Sequence, residues 1–394
     1  MEEAMTTADW TSPHVFFSPC KIILGRNTVG SVAGEIRQLG GGKVLIVTDP
    51  GVAKAGVLAP VEDSLKSMAI PYFSYDGVKP EPPSEVIDHG AALFHAEGCR
   101  LVLGVGGGSS LDAAKGISIL AGNKGKILDY TGLDRVPQRG APLVLMPTTA
   151  GTGSEVTRVL VFTDERENSK NVVFSRFAIA DTAIIDPLLT VGMSPLVTAD
   201  TGMDALVHAV ETYVSMNATV FSDLYAERAM ELIVRWLPAA CAKGTNLEAR
   251  THMSVAATLA GLAFGSGGLG AVHALAYPLG TEYHMTHGRT NAVMLPHVMR
   301  FNLAGATHKY ARMATLMGRD VTGLSPMAAA GQAVEAVKEL LQAIRVSFQI
   351  GDYGIPRGDL PKLVEGALKQ ARLFVPNPRG LEEDDVRLIY EEAY

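Results

Sequence analysis

Asp204 and His208 stand four residues apart in DTGMDALVHAVETY (200–213), so on a helix they share one face, one turn apart. The same segment carries Met203, Leu206, Val207 and Val210 and no proline, the pattern of a mostly buried helix. A carboxylate and an imidazole on such a helix read two ways. They form a neutralised pair or a solvated edge, or they are half of a metal site. Other histidines bear on the choice, because His273, His284, His287 and His297 fall within 25 positions. His273 lies in the apolar stretch GAVHALAYPLG, where an unpaired imidazole would be costly. His287 lies in HMTHGRTN, read as a turn before the helix NAVMLPHVMRFN, while His284 reads as a surface histidine. Asp204 and His208 from one helix, with His273 and His287 from a later hairpin, would give one carboxylate and three imidazoles. That set suits a divalent transition metal with a position left open for a substrate oxygen.

Two glycine-containing loops suggest a second ligand. GVGGGSSLDAAKG (104–116) follows the apolar run LVLGV and leads into a helical pattern. Glycines let a backbone turn sharply, and a helix start aims free N–H groups at whatever the loop holds. Ser109 with Asp112 three residues on resembles a capping box and places the helix start just after Gly108. The dinucleotide fingerprint GxGxxG is not met, since Gly104 and Gly106 are followed by Ser109 at the sixth position. The acidic residue expected downstream is also missing, and Asp49, ending KVLIVTD, is the candidate ribose-binding carboxylate instead. By itself the loop reads equally as a plain strand-to-helix turn. A second loop, PTTAGTGSE (147–155), gathers Thr148, Thr149, Thr152 and Ser154 after another apolar run, which favours a nucleotide.

The elements that must position these residues change character along the chain. KVLIVTD (43–49), YFSYDGV (72–78), LVLGV (101–105), LVLMP (143–147) and TAIIDP (182–187) read as strands. Between them, 57–68 and 84–97 have helical spacing, the latter with Ser84 as its cap, so the first half reads as a parallel sheet wound with helices. Beyond Pro187 strand signals almost vanish, and 224–236, 250–264 and 327–348 read as helices. The expected organisation is an α/β, Rossmann-like domain over 1–190 and an all-helical domain over 191–394.

Length and composition bound the rest. The 394 residues suffice for two domains, and 47% hydrophobic with 19% charged residues describes a soluble globular chain. A net charge of −7 without basic runs argues against a nucleic-acid partner. Cys20, Cys99 and Cys241 are too scattered for a disulfide framework or a zinc knuckle, which fits a reducing cytoplasm. Glu2, Glu3 and Asp9 make the N-terminus unlike a signal peptide. Residues 253–281 hold no charged side chain, yet Gly265, Gly267, Gly268 and Gly270 break the run and Pro278 follows. Two buried helices around a glycine turn are expected there rather than a membrane span.

Taken together, GGGSSLDAAK, PTTAGTGSEVT, DTGMDALVHAVETY and VHALAYPLGTEYHMTHGRTNAVMLPHV resemble, in order, the motifs of the iron-containing (group III) alcohol dehydrogenase family. The resemblance covers nearly the whole chain. It implies Asp204, His208, His273 and His287 as ligands of a divalent metal, Fe2+ first and Zn2+ as the alternative. It implies Gly106, Gly107, Gly108, Ser109, Asp112, Thr148, Thr149, Thr152 and Lys170 as dinucleotide contacts. Asp49 matches the carboxylate that accepts ribose hydroxyls in NAD-using members. The implied reaction is reversible hydride transfer between NAD(H) and a small primary alcohol or aldehyde, with the metal polarising the substrate oxygen. A homodimer or higher homo-oligomer is implied as well.

Alignment with the family places Val159, Phe264, Leu269, Tyr277 and Leu373 along the substrate pocket. The chain departs from the family at Tyr277, where members commonly carry a histidine near the nicotinamide. A free tyrosine hydroxyl is a poor base at neutral pH, so Tyr277 is expected to be mainly pocket wall, with a proton relay through it, or through nearby His284 in place of the missing histidine, as the alternatives. Arg158 and Arg372 adjoin two pocket positions and would admit an anionic aldehyde if either turned inward. A polyol or hydroxyacid dehydrogenase is the runner-up, and a metal hydrolase or a non-catalytic nucleotide-binding scaffold are readings from other classes.

Overall fold

Short apolar runs bounded by turn residues fold into parallel strands in a computed structural model that describes residues 15–167 and 169–394. The contacts separate Phe17–Gly192 from a helical unit running from Met193 to Tyr394, to which Phe16 also belongs. Phe16 stacks on Tyr225 with ring centroids 5.5 Å apart, so the first described residues side with the helices and not with the α/β fold that follows them in sequence.

The α/β unit contains β1 (Lys21–Leu24), β2 (Val44–Val47), β3 (Tyr72–Tyr75), β4 (Leu101–Gly106), β5 (Gly132–Leu133), β6 (Leu143–Pro147), β7 (Val159–Asp164), β8 (Ser169–Phe174) and β9 (Thr182–Ile185). Its helices are α1 (Val32–Gln38), α2 (Pro50–Lys54), α3 (Ala59–Ser67), α4 (Ser84–Ala96) and α5 (Gly108–Gly122). Six strands form one parallel sheet in the order β1-β9-β6-β4-β2-β3. Alternate residues feed two cores: Leu45, Val47, Val102 and Leu145 enter one, and Val44, Ile46, Leu103 and Met146 the other. Burial on both faces is what makes these strands read as continuous apolar runs.

The sequence reading missed β1 and the small sheet β5-β8-β7, in which β7 and β8 pair antiparallel. The apolar runs of that hairpin, VLVF (159–162) and VVF (172–174), are short and lie among Thr163, Asp164, Ser169, Lys170 and Asn171, which is why they drew no strand expectation. Ser84 is the first residue of α4 and makes no capping bond, the cap position being Pro83.

The helical unit comprises α6 (Pro195–Val214), α7 (Val220–Ala242), α8 (Leu247–Gly267), α9 (Ala271–Tyr283), α10 (His287–Asn302), α11 (Thr307–Leu316), α12 (Pro326–Ala343), α13 (Leu360–Leu368) and α14 (Glu383–Ala393). Gly265 and Gly267 do not break α8, which ends at Gly267, and Pro278 lies inside α9. The break is Gly268–Gly270, where Gly268 adopts φ +80°, a conformation that disfavours any other residue. Among the described residues no single helix is long and apolar enough to cross a membrane, and α8 and α9 meet at 108°.

Candidate metal centre and dinucleotide loops

The metal-ligand candidates come from three helices of one unit. Ser194 caps α6 by accepting from the Val197 N–H at 3.2 Å, and Pro195 suits its first position. Almost every side chain from Thr198 onward in α6 is buried, so Asp204 and His208 sit within the protein at 3% and 5% exposure. Two close approaches bring the neighbours in. A Cβ on Gly202 would fall 2.3 Å from Leu237 on α7, and one on Gly288 would fall 2.1 Å from the Asp200 carbonyl oxygen. At the latter contact, Asp200 also accepts from Thr286 Oγ1 at 2.6 Å and from Arg289 Nε at 2.7 Å, tying the start of α10 to α6.

His287 is therefore the first residue of α10, not part of a preceding turn, and its Nε2 lies 3.6 Å from Asp204 Oδ1. His208 Nε2 is 3.9 Å from the same oxygen. His273, 1% exposed in the first turn of α9, completes a trio with Asp204 and His208 whose donor atoms all lie within 4.8 Å of one another. Two donors on one cation at bonds of about 2.1 Å can be at most about 4.2 Å apart. The Asp204–His208 and Asp204–His287 distances meet that limit, and the nitrogen-rich donor set is one that Fe2+ or Zn2+ accepts. Burial alone would raise the Asp204 pKa, but His208, His287, His273 and the Asn291 amide outweigh it and hold the carboxyl below its ordinary range. Asp204 is thus an anion facing three imidazoles.

Two neighbours escaped the sequence reading. Glu211 accepts from the Val272 and His273 N–H groups at the start of α9 and pairs with His273 Nδ1 at 2.6 Å. Asn291, fully buried, donates from Nδ2 to Asp204 Oδ1 at 2.8 Å. The signal was spacing: Glu211 is three residues beyond His208, and Asn291 four beyond His287, each on its ligand's helix face. Phe264 stacks on His208 at 4.8 Å, and the Tyr277 ring lies 6.2 Å from His287. His284 is exposed at the end of α9 with φ +56°, a surface position.

The second candidate site is built where adjacent strands end. β2, β4 and β6 are neighbours, with Val47 opposite Gly104 and Gly106 opposite Pro147, so Asp49, Gly106–Gly108 and Thr148–Thr152 follow the carboxyl ends of three parallel strands. That edge is where open α/β sheets bind ligands. α5 starts at Gly108 with Gly107 as its cap, one residue earlier than the Ser109 box suggests. Ser109 instead accepts from the Glu81 N–H at 3.2 Å. A Cβ on Gly108 would meet Thr152 of the second loop at 2.7 Å, and one on Gly106 would meet Ser110 in the first turn of α5 at 2.5 Å, so both positions are crowded.

Several expected cofactor residues have protein partners. Asp49 caps α2 through the Val52 N–H at 3.0 Å and accepts from Ser110 Oγ at 3.1 Å. Asp112 accepts from Ser154 Oγ at 2.6 Å and the Val161 N–H at 2.9 Å, bracing the second loop against β7. Lys170 pairs with Glu81. Lys115, completely buried, donates to Thr157 Oγ1 at 3.1 Å and the Val159 carbonyl at 2.7 Å, and burial pushes its pKa down to about 8.

Val159, buried, opens β7 in the α/β unit. In the helical unit, Leu269 lies in the break before α9 and Leu373 is buried beside α9. Arg372 is exposed, whereas the Arg158 guanidinium lies 4.6 Å from the Phe17 ring.

Known proteins share this architecture from end to end. The chain is 40% identical to 1,3-propanediol dehydrogenase of Klebsiella pneumoniae over 388 residues, covering 98% of both. It is 36% identical to the NAD-dependent methanol dehydrogenase of Bacillus methanolicus, over 96% of this chain and 99% of that one. It is 37% identical to the sulfoacetaldehyde reductase of Bilophila wadsworthia, over 96% and 99%. The crystal structure of a 1,3-propanediol oxidoreductase superposes with a TM-score of 0.95 at 40% identity, over 97% of this chain and 100% of that one. Residues 19–187 match the iron-containing alcohol dehydrogenase family, and residues 198–394 match the C-terminal part of the Fe-containing alcohol dehydrogenases. Since each unit matches its half of one family, in order and at full length, the chain belongs to the iron-containing alcohol dehydrogenases.

Proposed function

We propose that the chain interconverts a small primary alcohol and its aldehyde, using NAD(H) and a divalent cation held by Asp204, His208, His273 and His287. The observation that carries this reading is the buried carboxylate facing three imidazoles. When bound, the cation supplies Lewis acidity to the substrate oxygen and the nicotinamide gives or takes the hydride. Fe2+ is assigned first, with Zn2+ as the alternative. Membership of an oxidoreductase family leaves the hydrolase and scaffold readings without support.

The chain's own residues bind and orient. Gly106–Gly108 and the N-terminus of α5 present backbone N–H groups to phosphate oxygens, and Thr148, Thr149 and Thr152 offer hydroxyls across the same gap. Asp49 accepts ribose hydroxyls, because a carboxylate oxygen holding one donor still has a lone pair for another. The same charge repels a 2′-phosphate, so kcat/KM for NADH is expected to exceed that for NADPH by at least about tenfold, an energy of roughly 1.4 kcal/mol. Asp49→Ser narrows that ratio in paired assays. A ratio already near one in the wild type means that Asp49 does not face the ribose.

Phe264, Tyr277 and Leu373 supply apolar surface that fits a short aliphatic substrate. Tyr277, one turn beyond His273, acts as wall rather than as proton donor. Tyr277→Phe therefore lowers kcat less than about tenfold, whereas losing a general acid costs about 10²–10⁴-fold. A larger loss that buffer acids rescue would give the tyrosine the proton-transfer task.

Arg158 favours a second reading, an aldehyde carrying an anionic group. Its Nε is buried without an acceptor and it makes no ion pair among the described residues. A panel of short neutral aldehydes, anionic aldehydes, diols and 2-hydroxy acids, assayed with NAD(H) after loading with Fe2+ or Zn2+, separates the readings. The primary proposal requires kcat/KM to peak on a neutral aldehyde and fails if no aldehyde is reduced.

A further inference from the structure

We propose that Glu211, which lies outside the ligand set, is a positioning residue that fixes which nitrogen of His273 is free to bind the cation. The inference rests on the metal site proposed above. Glu211 Oε2 lies 2.6 Å from His273 Nδ1, and both side chains are at least 95% buried. A carboxylate only accepts, so Nδ1 carries the hydrogen and the lone pair is on Nε2.

Asn291 gives the same answer from the opposite side. Its amide nitrogen, not its oxygen, must face the Asp204 carboxylate at 2.8 Å, because two acceptors would repel. The same nitrogen is 3.2 Å from His273 Nε2 and 3.2 Å from His287 Nε2. An amide nitrogen only donates, so both imidazole nitrogens present lone pairs. It has two hydrogens for these three acceptors, so Asn291 alone serves at most two of them, whereas a cation serves all three at once. The Asn291 contacts to the rings must be given up when the cation binds, but the Glu211 bond persists. Glu211 is therefore the partner that orients His273 in the loaded site.

The geometry also explains why the residue should be a carboxylate. Glu211 Oε1 accepts from the Val272 and His273 N–H groups, which have no partner within α9, while Oε2 serves the imidazole. Glutamine has the same shape but one accepting oxygen. If it keeps the backbone N–H groups, its NH2 faces Nδ1, which must then hold the lone pair, and Nε2 turns a hydrogen toward the site. His273 cannot easily flip instead, because it stacks on His208 at 5.1 Å and 13°.

The test uses the full chain, stripped of metal, as wild type and Glu211→Gln. Zn2+ and Co2+ affinities are measured by chelator competition, and His273 tautomers by ¹⁵N NMR of histidine-labelled metal-free protein. Wild type is expected to show the Nδ1–H tautomer, and Glu211→Gln to bind both metals about 10–100-fold more weakly with a shift toward Nε2–H. An Nε2–H tautomer in the wild type overturns the proposal. So does a Glu211→Gln protein that melts earlier yet binds Zn2+ within twofold of wild type, since that is a purely structural role. A wild type that takes up neither metal overturns the metal site itself, and the tautomer measurement still judges Glu211.

Discussion

Asp204→Ala and His273→Ala are each expected to lower kcat/KM by about 10³-fold or more and to strip bound metal, while the protein stays folded. Asp204 is the only carboxylate of the candidate set, and its Oδ1 lies within 4 Å of both His208 Nε2 and His287 Nε2. Without it the remaining donors are imidazoles, and no directly bound anion offsets a divalent charge, since Glu211 reaches the site only through His273. A metal ion contributes several kcal/mol of transition-state stabilisation, and each 1.36 kcal/mol is tenfold in rate. Alanine at His273 removes a donor and leaves the Glu211 carboxylate buried without its imidazole, so a loss of stability of a few kcal/mol accompanies the loss of metal. The fold tolerates this because α6 is anchored along its length by apolar contacts from Met203, Leu206, Val207 and Val210. Metal content by elemental analysis, circular dichroism and turnover on one preparation decide the matter. Full metal occupancy with near-normal turnover in either variant would remove these residues from the site.

Gly288→Ala is expected to destabilise the helical unit by roughly 1–3 kcal/mol and to reduce metal retention, although Gly288 contributes no donor. The added methyl would stand 2.1 Å from the Asp200 carbonyl oxygen and 2.6 Å from its carbon. Both are backbone atoms of α6 and cannot rotate away. Relief requires α10 to move outward, which strains the bonds from Asp200 to Thr286 and Arg289. His287 starts that helix and moves with it. Calorimetry reads the stability, and chelator competition reads the metal. A variant that melts and binds Zn2+ like wild type would show that α10 does not need this contact to place His287.

The local chemistry of this protein was written in its sequence. The i, i+4 spacing of Asp204 and His208 forces them onto one helix face whatever surrounds it. Gly106–Gly108 after a buried strand must turn sharply into a helix, and LVLMP forms a strand with the bounds its apolar run shows. The change from alternating elements to helices alone near residue 190 is equally visible, because period and composition are properties of short windows.

What depends on distance along the chain was decided by packing. Nothing within HMTHGRTN puts His287 3.6 Å from a carboxylate 83 positions earlier; the glycine contact with Asp200 does. Asp49 could have been free, yet Ser110 and the start of α2 both donate to it. The β7–β8 hairpin was passed over because its apolar runs, 159–162 and 172–174, are short and flanked by polar residues. Glu211 and Asn291 look like ordinary polar residues until burial removes water. A buried carboxylate or amide then looks to protein groups for its hydrogen bonds, and the partners of Glu211 Oε2 and Asn291 Nδ2 are candidate metal ligands.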